Sequence, residues 1–310
     1  MLLRCLLCMY VFCARTSGTL SAGEREPVCQ EIIQNEVAAM PEKIIYPIQP
    51  YFVLSSAAYY KKLSGLPAVS HFYRFTGNQN SGQCFAVPDG AVDIIFKCSK
   101  DAPSAEICGT VKQSEDAGFS DSTTYFGVRL LPGILENLGG ASMKELMNHR
   151  YSLEEVLGTH GLAGEIADLD SFEDQIQLFT KVFSEKAGTS DNGSHRVASA
   201  VLHEIYENDG VIRVSELEQK LHYSRRHLVR SFEETTGLDI KSFSTYIRFQ
   251  SVLKQLNEGR FKSLSEAAAA GGYFDQNHFQ KDFKRFANIT PGAYVKLLED
   301  MRYQDKLIIL

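Results

Sequence analysis

Two stretches near the C-terminal end carry polar side chains of the kind that bind the edges of bases. In the first, Arg225, Arg226, Val229 and Arg230 stay outward once Leu228 and Phe232 are taken as the apolar positions of a helix. In the second, Gln276, Asn277, Gln280 and Lys281 stay outward when Phe279, Phe283 and Phe286 form the apolar stripe. Arg can bond guanine O6 and N7 together, Gln and Asn suit adenine N6 and N7, and Val can touch a thymine methyl. Lys284, Arg285 and Arg248 are candidates for phosphate contacts, which position a protein without reading sequence. The competing reading of every one of these residues is an ordinary solvated helix face. His278, at a helix start, suits a capping or bridging role.

The elements that would carry these residues favour the first reading. VSELEQKL (214–221) is a short helical pattern, His222-Tyr223 a turn, and Ser224 an N-cap for RRHLVRSFEETT, which ends at Gly237. Two short helices joined by a tight turn make a helix-turn-helix. A longer helix is expected over 240–259. The pattern then repeats: LSEAAAAGG (264–272), a turn at Tyr273-Phe274, and a helix over 275–286 with Asp275 as its N-cap. Asn288 stands where the chain needs a positive φ, and Thr290-Pro291 reads as N-cap and first position of a last helix. Upstream, HRVASAVLHEIYEN (195–208) places Val197, Val201 and Ile205 on one stripe.

The run GYFDQNHFQKDFKRFANITPGAYVK (272–296) resembles the signature of the AraC/XylS family of transcription regulators, and LEQKLHYSRRHLVRSFEETTGLDIKSFSTYIR (217–248) matches the family's first helix-turn-helix. The resemblance implies seven helices, two helix-turn-helix units on one connecting helix, and base contacts at Arg226, Val229, Arg230, Gln276, Asn277 and Lys281. The sequence departs from the family at Ala267–Ala270 and Gly271, where bulkier apolar residues are usual, and at Asn288, commonly Gly. A less tightly packed second unit is expected from that. VPDGAVDIIF (87–96), YFGVRLLPG (125–133) and ASMKELMNHRYSLEEVLG (141–158) look like a sensor domain of one branch of the family.

Residues 44–130 agree with a sensor made of strands: HFYRF (71–75), CFAVP (84–88), VDIIFKC (92–98), AEICGTV (105–111) and TTYFGVRLL (123–131) are separated by Gly, Pro, Asn and Asp. Phe172, Ile176, Phe179 and Phe183 then mark an amphipathic helix, and AGTSDNGS (187–194) reads as a linker. The expected fold class is α+β: a small antiparallel β sensor domain over 41–160, a helix and linker over 161–193, and an all-α domain over 194–300 with both helix-turn-helix units. A chain of 310 residues suits two domains. Its net charge of −6 belongs to the N-terminal part, since 194–300 carries 15 Lys and Arg against 14 Asp and Glu. DNA binding there requires the basic residues to share a face.

Residues 1–40 read as a leader, disordered or not translated. MLLRCLLCMYVFCA resembles a short signal-peptide core, and domain-like sequence begins at Met40, the alternative start. The seven cysteines all precede residue 109, and Cys5 and Cys8 alone have C-x-x-C spacing, so a secreted disulfide framework is not indicated and a reduced, cytoplasmic setting fits. Cys84, Cys98 and Cys108 are expected to be small buried residues rather than a metal or redox set. No G-x-S-x-G, P-loop or H-E-x-x-H occurs, so no enzyme, metal site or cofactor is expected. Asp93 and Arg129, charged residues inside apolar runs, suit a buried ion pair and are the candidate ligand-binding residues. The expected function is a sequence-specific DNA-binding regulator responsive to a small molecule; the alternative is one with no small-molecule effector. The expected partners are double-stranded DNA, a small-molecule effector, RNA polymerase and a second copy of the chain in a homodimer, with no membrane.

Overall fold

The structure is a computed structural model that describes residues 47–66, 68–78, 84–133, 142–186 and 193–310. The leader and residues 187–192 of the expected linker lie outside these. Helix α1 (Pro50–Leu54) leads into strands β1 (Ser56–Leu63), β2 (Val69–Gly77), β3 (Phe85–Ala86), β4 (Val92–Cys98), β5 (Ser104–Cys108), β6 (Glu115–Asp116) and β7 (Thr124–Leu130). Then come α2 (Met143–Leu146), β8 (Arg150–Ser152), α3 (Leu153–Leu157), α4 (Leu162–Ala167) and α5 (Phe172–Lys186). The rest is helical: α6 (Gly193–Glu207), α7 (Val214–Leu221), α8 (Arg225–Thr236), α9 (Ile240–Asn257), α10 (Leu264–Ala270), α11 (Gln276–Ala287), α12 (Pro291–Asp300) and α13 (Tyr303–Lys306). A last strand, β9 (Leu307–Ile309), ends the order.

Seven strands form one sheet in the order β8-β5-β4-β7-β2-β1-β9, and β3 pairs with β6 apart from it. The pairs are antiparallel except β1 with β9, which is parallel. The central strands are buried on both faces, which is why VDIIFKC reads as a nearly unbroken apolar run. Val92, Ile94 and Phe96 point to one face, with Phe72, Phe126 and Val128, and α4 and α5 cover it. Phe179 of α5 meets Phe72 and Phe96 edge-on at 6.2 and 6.1 Å. The periodic Phe172–Phe183 stripe therefore closes the core of the sheet.

The opposite face carries Tyr59, Tyr73, Phe75, Ile95 and Tyr125, and these share one continuous core with α1 and the helices from α6 onward. Residues 45–310 accordingly form one compact unit. Gly90 shows how close the approach is. Its φ of +75° is open to glycine at little cost, and a Cβ there would lie 2.4 Å from the Phe243 ring of α9. Tyr51 of α1 donates its hydroxyl hydrogen to the Ala287 carbonyl at the end of α11. After α12 the chain turns back, and Leu307, Ile308 and Ile309 pair with Tyr59, Tyr60 and Lys61 at the sheet edge.

Candidate nucleic-acid interface

The first helix pair is built by its caps. His222 takes φ +56° to end α7, and Ser224 Oγ accepts the His227 N–H to start α8. Glu218 of α7 also accepts the Arg225 backbone N–H at 2.8 Å, which ties the two helices across the turn. Leu228 and Phe232 are fully buried. Arg225, Arg226 and Arg230 are exposed on the other side, with Arg230 held to Glu234 at 2.8 Å along the helix. Val229 departs from the sequence expectation. It is half-buried and packs against the core, because it adjoins Leu228 on the helix rather than standing opposite it.

The second pair repeats the plan. Asp275 Oδ1 accepts the His278 N–H at 2.7 Å, and Phe279, Phe283 and Phe286 are fully buried against α9 and α12. Burying each phenylalanine contributes about 1.5–3 kcal/mol. Gln276, Asn277 and Lys281 are exposed and Gln280 is half-buried. Gln276 Oε1 accepts from Ser265 Oγ at 3.0 Å, which orients it from α10. His278 lies 3.6 Å from Asp282 and edge-on to Tyr273, the bridging role expected of it. Arg248, a phosphate candidate from sequence, turns inward instead. It lies 3.6 Å from Asp282 and 4.4 Å over the Tyr273 ring, so it fastens α9 to α11. Lys284 remains exposed and makes no ion pair among the described residues, while Arg285 lies 3.8 Å from Asp282 and over Phe286.

Two exposed aromatics were not singled out from sequence. Tyr223 and Phe274 are 45% and 95% exposed, and each sits in the turn immediately before a candidate recognition helix. Their matching place in two unlike repeats was visible in the sequence as a signal. An almost fully exposed Phe beside a row of polar donors gives the surface an apolar element that a sugar or base methyl can meet.

The polar residues of the sheet form a separate cluster. Asp93 of β4 stands directly across from Arg129 of β7. Arg129 donates from Nε and Nη2 to the two Asp93 oxygens, and its Nη1 lies 3.1 Å from Asp89, a partner missed in the sequence. Tyr73 and Gln49 donate to Asp93 and Asp89 at 3.2 and 2.8 Å. Burial raises the Asp89 pKa, and Arg129 offsets part of that rise. For Arg129, burial alone would lower the pKa, but the two carboxylates raise it overall. A cavity of about 150 Å³ lies beside the cluster and is lined by Asp89 and Asp93 but not by Arg129. Of the two candidate ligand residues, Asp93 thus faces open space and Arg129 is enclosed.

His71, opposite Arg129 on β2, is buried with Ser70 Oγ 2.9 Å from its Nδ1. Burial first, then the charges of Lys61 and Arg129, push its pKa well below the ordinary histidine value. It stays neutral in the folded chain while an unfolded His gains a proton below pH about 6.5. The unfolded state then binds more protons, so this contribution is present above that pH and lost as the pH falls. Urea unfolding at pH 7 and pH 5 should show a larger drop for the natural chain than for His71→Gln. Equal drops would remove His71 from the account.

Comparison with known proteins matches residues 217–297 to a helix-turn-helix domain and residues 65–152 to a domain of unknown function, DUF6597. The first match runs from within α7, through α8, α9, α10 and α11, into α12. The Msm operon regulatory protein of Streptococcus mutans is 25% identical over 125 residues, 40% of this chain and 44% of that protein. The transcriptional regulator MtrA of Neisseria gonorrhoeae is 36% identical over 76 residues, 24% of each chain. Residues 217–297 thus carry a helix-turn-helix domain similar to that of AraC-type transcription regulators. The chain spans less than half the length of the curated relatives it matches. A solved structure of ToxT from Vibrio cholerae is 14% identical, covering 73% of this chain and 97% of that one, with a TM-score of 0.39.

The departures from the resembled motif have a packing reason. Ala267 and Ala268 are buried, and a Cβ on Gly271 would fall 2.6 Å from Val252 and 2.8 Å from Tyr273. Small residues let α10 lie close to α9. The looser second unit expected from sequence is therefore corrected: its phenylalanines are fully enclosed. Asn288 adopts φ +62°, the conformation its place requires. Cys98 and Cys108 belong to the cores on opposite faces of the sheet, and burial raises the Cys84 and Cys108 thiols to about 12, so these are packing residues. Among the described residues no group of three or more His, Cys, Asp or Glu could hold a metal, and no helix is long and apolar enough to cross a membrane.

Proposed function

We propose that this protein binds specific duplex DNA sequences through α8 and α11 and controls transcription in response to a small molecule held by the sheet domain. The observation that carries this is the repeated construction. Two capped helix pairs present exposed Arg225, Arg226 and Arg230, then Gln276, Asn277 and Lys281, and α9 joins them with most of its residues buried. A buried connecting helix holds two readers at a set spacing, which suits successive major grooves about 34 Å apart. The partners in this reading are duplex DNA, the effector and RNA polymerase.

The test uses the full chain. Duplexes selected from random sequence by the protein are titrated at several salt concentrations. The affinity should fall steeply with salt, because each phosphate neutralised by Lys or Arg releases a counterion, giving a log–log slope near −0.9 per contact. A flat response, or no enrichment of any sequence, would sink the proposal.

A further inference from the structure

We propose that the cavity beside Asp89 and Asp93 binds a small organic cation, and that its occupancy is passed through Gln49 and Gln250 to the helix between the two readers. The proposal deepens the effector reading above and rests on it for its DNA-binding consequence.

Charge identifies the ligand. One guanidinium, Arg129, lies between two carboxylates, so the buried cluster carries an excess negative charge, and both carboxylates line the cavity while Arg129 does not. Glu115 and Asp116 line it too. The cation on its wall, Arg150, is already engaged: Nη2 donates to the Asp116 and Ala117 carbonyls at 3.3 and 2.7 Å, and Nη1 is 3.7 Å from Glu106. His149, also on the wall, has its Nδ1 2.7 Å from the Met147 carbonyl. Among the described residues no three carboxylates, His or Cys are placed to hold a metal ion, so the missing charge is better supplied by an ammonium group. Phe52 and Phe119 give the cavity an apolar side for the body of such a molecule. Its volume of about 150 Å³ equals that of engineered cavities that take benzene, so a ring of about six carbons fits with the charged group reaching the carboxylates.

The same wall holds the connecting helix. Gln49 Nε2 donates to Asp89 at 2.8 Å and to the Val87 carbonyl at 2.7 Å, and its Oε1 accepts the Val87 N–H at 2.8 Å. Next to each partner, Gln250 of α9 accepts the Ile48 N–H at 2.9 Å and donates to the Pro88 carbonyl at 3.0 Å. Gln250 is fully buried, so its amide has no water to fall back on if residues 48 and 88 move. Asp89 also adds to the rise that burial causes in the Tyr206 pKa, and the buried Tyr206 hydroxyl of α6 has no hydrogen-bond partner among the described residues. A cation drawn to Asp89 therefore acts on residues bonded to α9, the helix that joins the two readers.

The experiment uses the full chain with benzylammonium chloride as the probe, benzyl alcohol as its uncharged counterpart, and sodium chloride to match ionic strength. Benzylammonium should raise the melting temperature saturably where benzyl alcohol does not. Ala117→Leu, which fills the cavity, should abolish the rise, and Val111→Phe fills the same space from its half-buried rim if the first variant fails to fold. No rise, an equal rise with the alcohol, or a rise that survives both fillings overturns the site. In the natural chain the probe should also change the Kd for selected DNA by about five-fold or more. Gln250→Leu should keep the melting response and lose the change in Kd; a change that persists overturns the relay. Failure to bind any DNA would reject the functional reading, while the melting response still tests the cavity by itself.

Discussion

The substitution Arg129→Met is expected to destabilise the fold by about 3–5 kcal/mol, the cost of leaving buried carboxylates without their cation. Asp89 and Asp93 are 2% and 9% exposed, so each can recover only part of its hydration where it stands. Tyr73, Gln49 and the Ala91 N–H would still donate to them, but these neutral donors do not cancel charge. Urea unfolding monitored by circular dichroism measures the loss. Adding Asp89→Asn and Asp93→Asn to the Arg129→Met variant should return a large part of it, because the penalty comes from unpaired charge rather than lost volume. If the single substitution costs under about 1 kcal/mol, or the added amides bring no recovery, the cluster is not the electrostatic centre of the sheet domain.

The second large effect concerns the two readers. Arg226→Ala is expected to weaken binding to the selected site by about 1–3 kcal/mol and to relax preference in one half of it only. Gln276→Ala or Asn277→Ala should relax the other half and leave the first intact. Because α8 and α11 carry unlike exposed residues, the site selected by a single chain should be asymmetric. Lys284→Ala should behave differently, weakening all sequences alike and lowering the salt slope by about one. Arg248→Ala should instead loosen the packing of α9 on α11, since its guanidinium serves Asp282 and Tyr273. Site selection on each variant at fixed salt separates these outcomes. If the Arg226 and Gln276 variants degrade the same base positions, the division between two reading helices is wrong.

Local chemistry made the reader helices legible in the sequence. Ser224, Asp275 and Thr290 cap helices because their side chains reach backbone N–H groups three residues on, and Asn288 ends one because Asn tolerates positive φ. Leu228, Phe232, Phe279 and Phe283 marked the inner face by spacing alone. Most sheet strands were also visible, since runs such as VDIIFKC are rich in branched and aromatic residues. The Pro88-Asp89-Gly90 run ahead of VDIIFKC marked a break, and in the fold Asp89 there accepts the Ala91 N–H.

Tertiary structure decided what spacing could not. Strand β1, SAAYYKKL, has neither clean alternation nor a strong apolar run, and it exists because β2 and β9 flank it. β9 is the last few residues returning to an edge more than two hundred positions away in sequence, a pairing with no local signature. Val229 was read as outward and Arg248 as a phosphate contact, but neighbouring elements cover one and pin the other. The second carboxylate on Arg129 and the seat of Gln250 likewise depend on residues far apart in the chain. Sequence by itself determined the helices of the two reader units, their caps and their apolar faces, because those follow from bonds and periods spanning a few residues. Only the folded chain decided which charges are buried together and how the sheet grips the connecting helix, because both depend on the low dielectric and close packing that distant segments create when they meet.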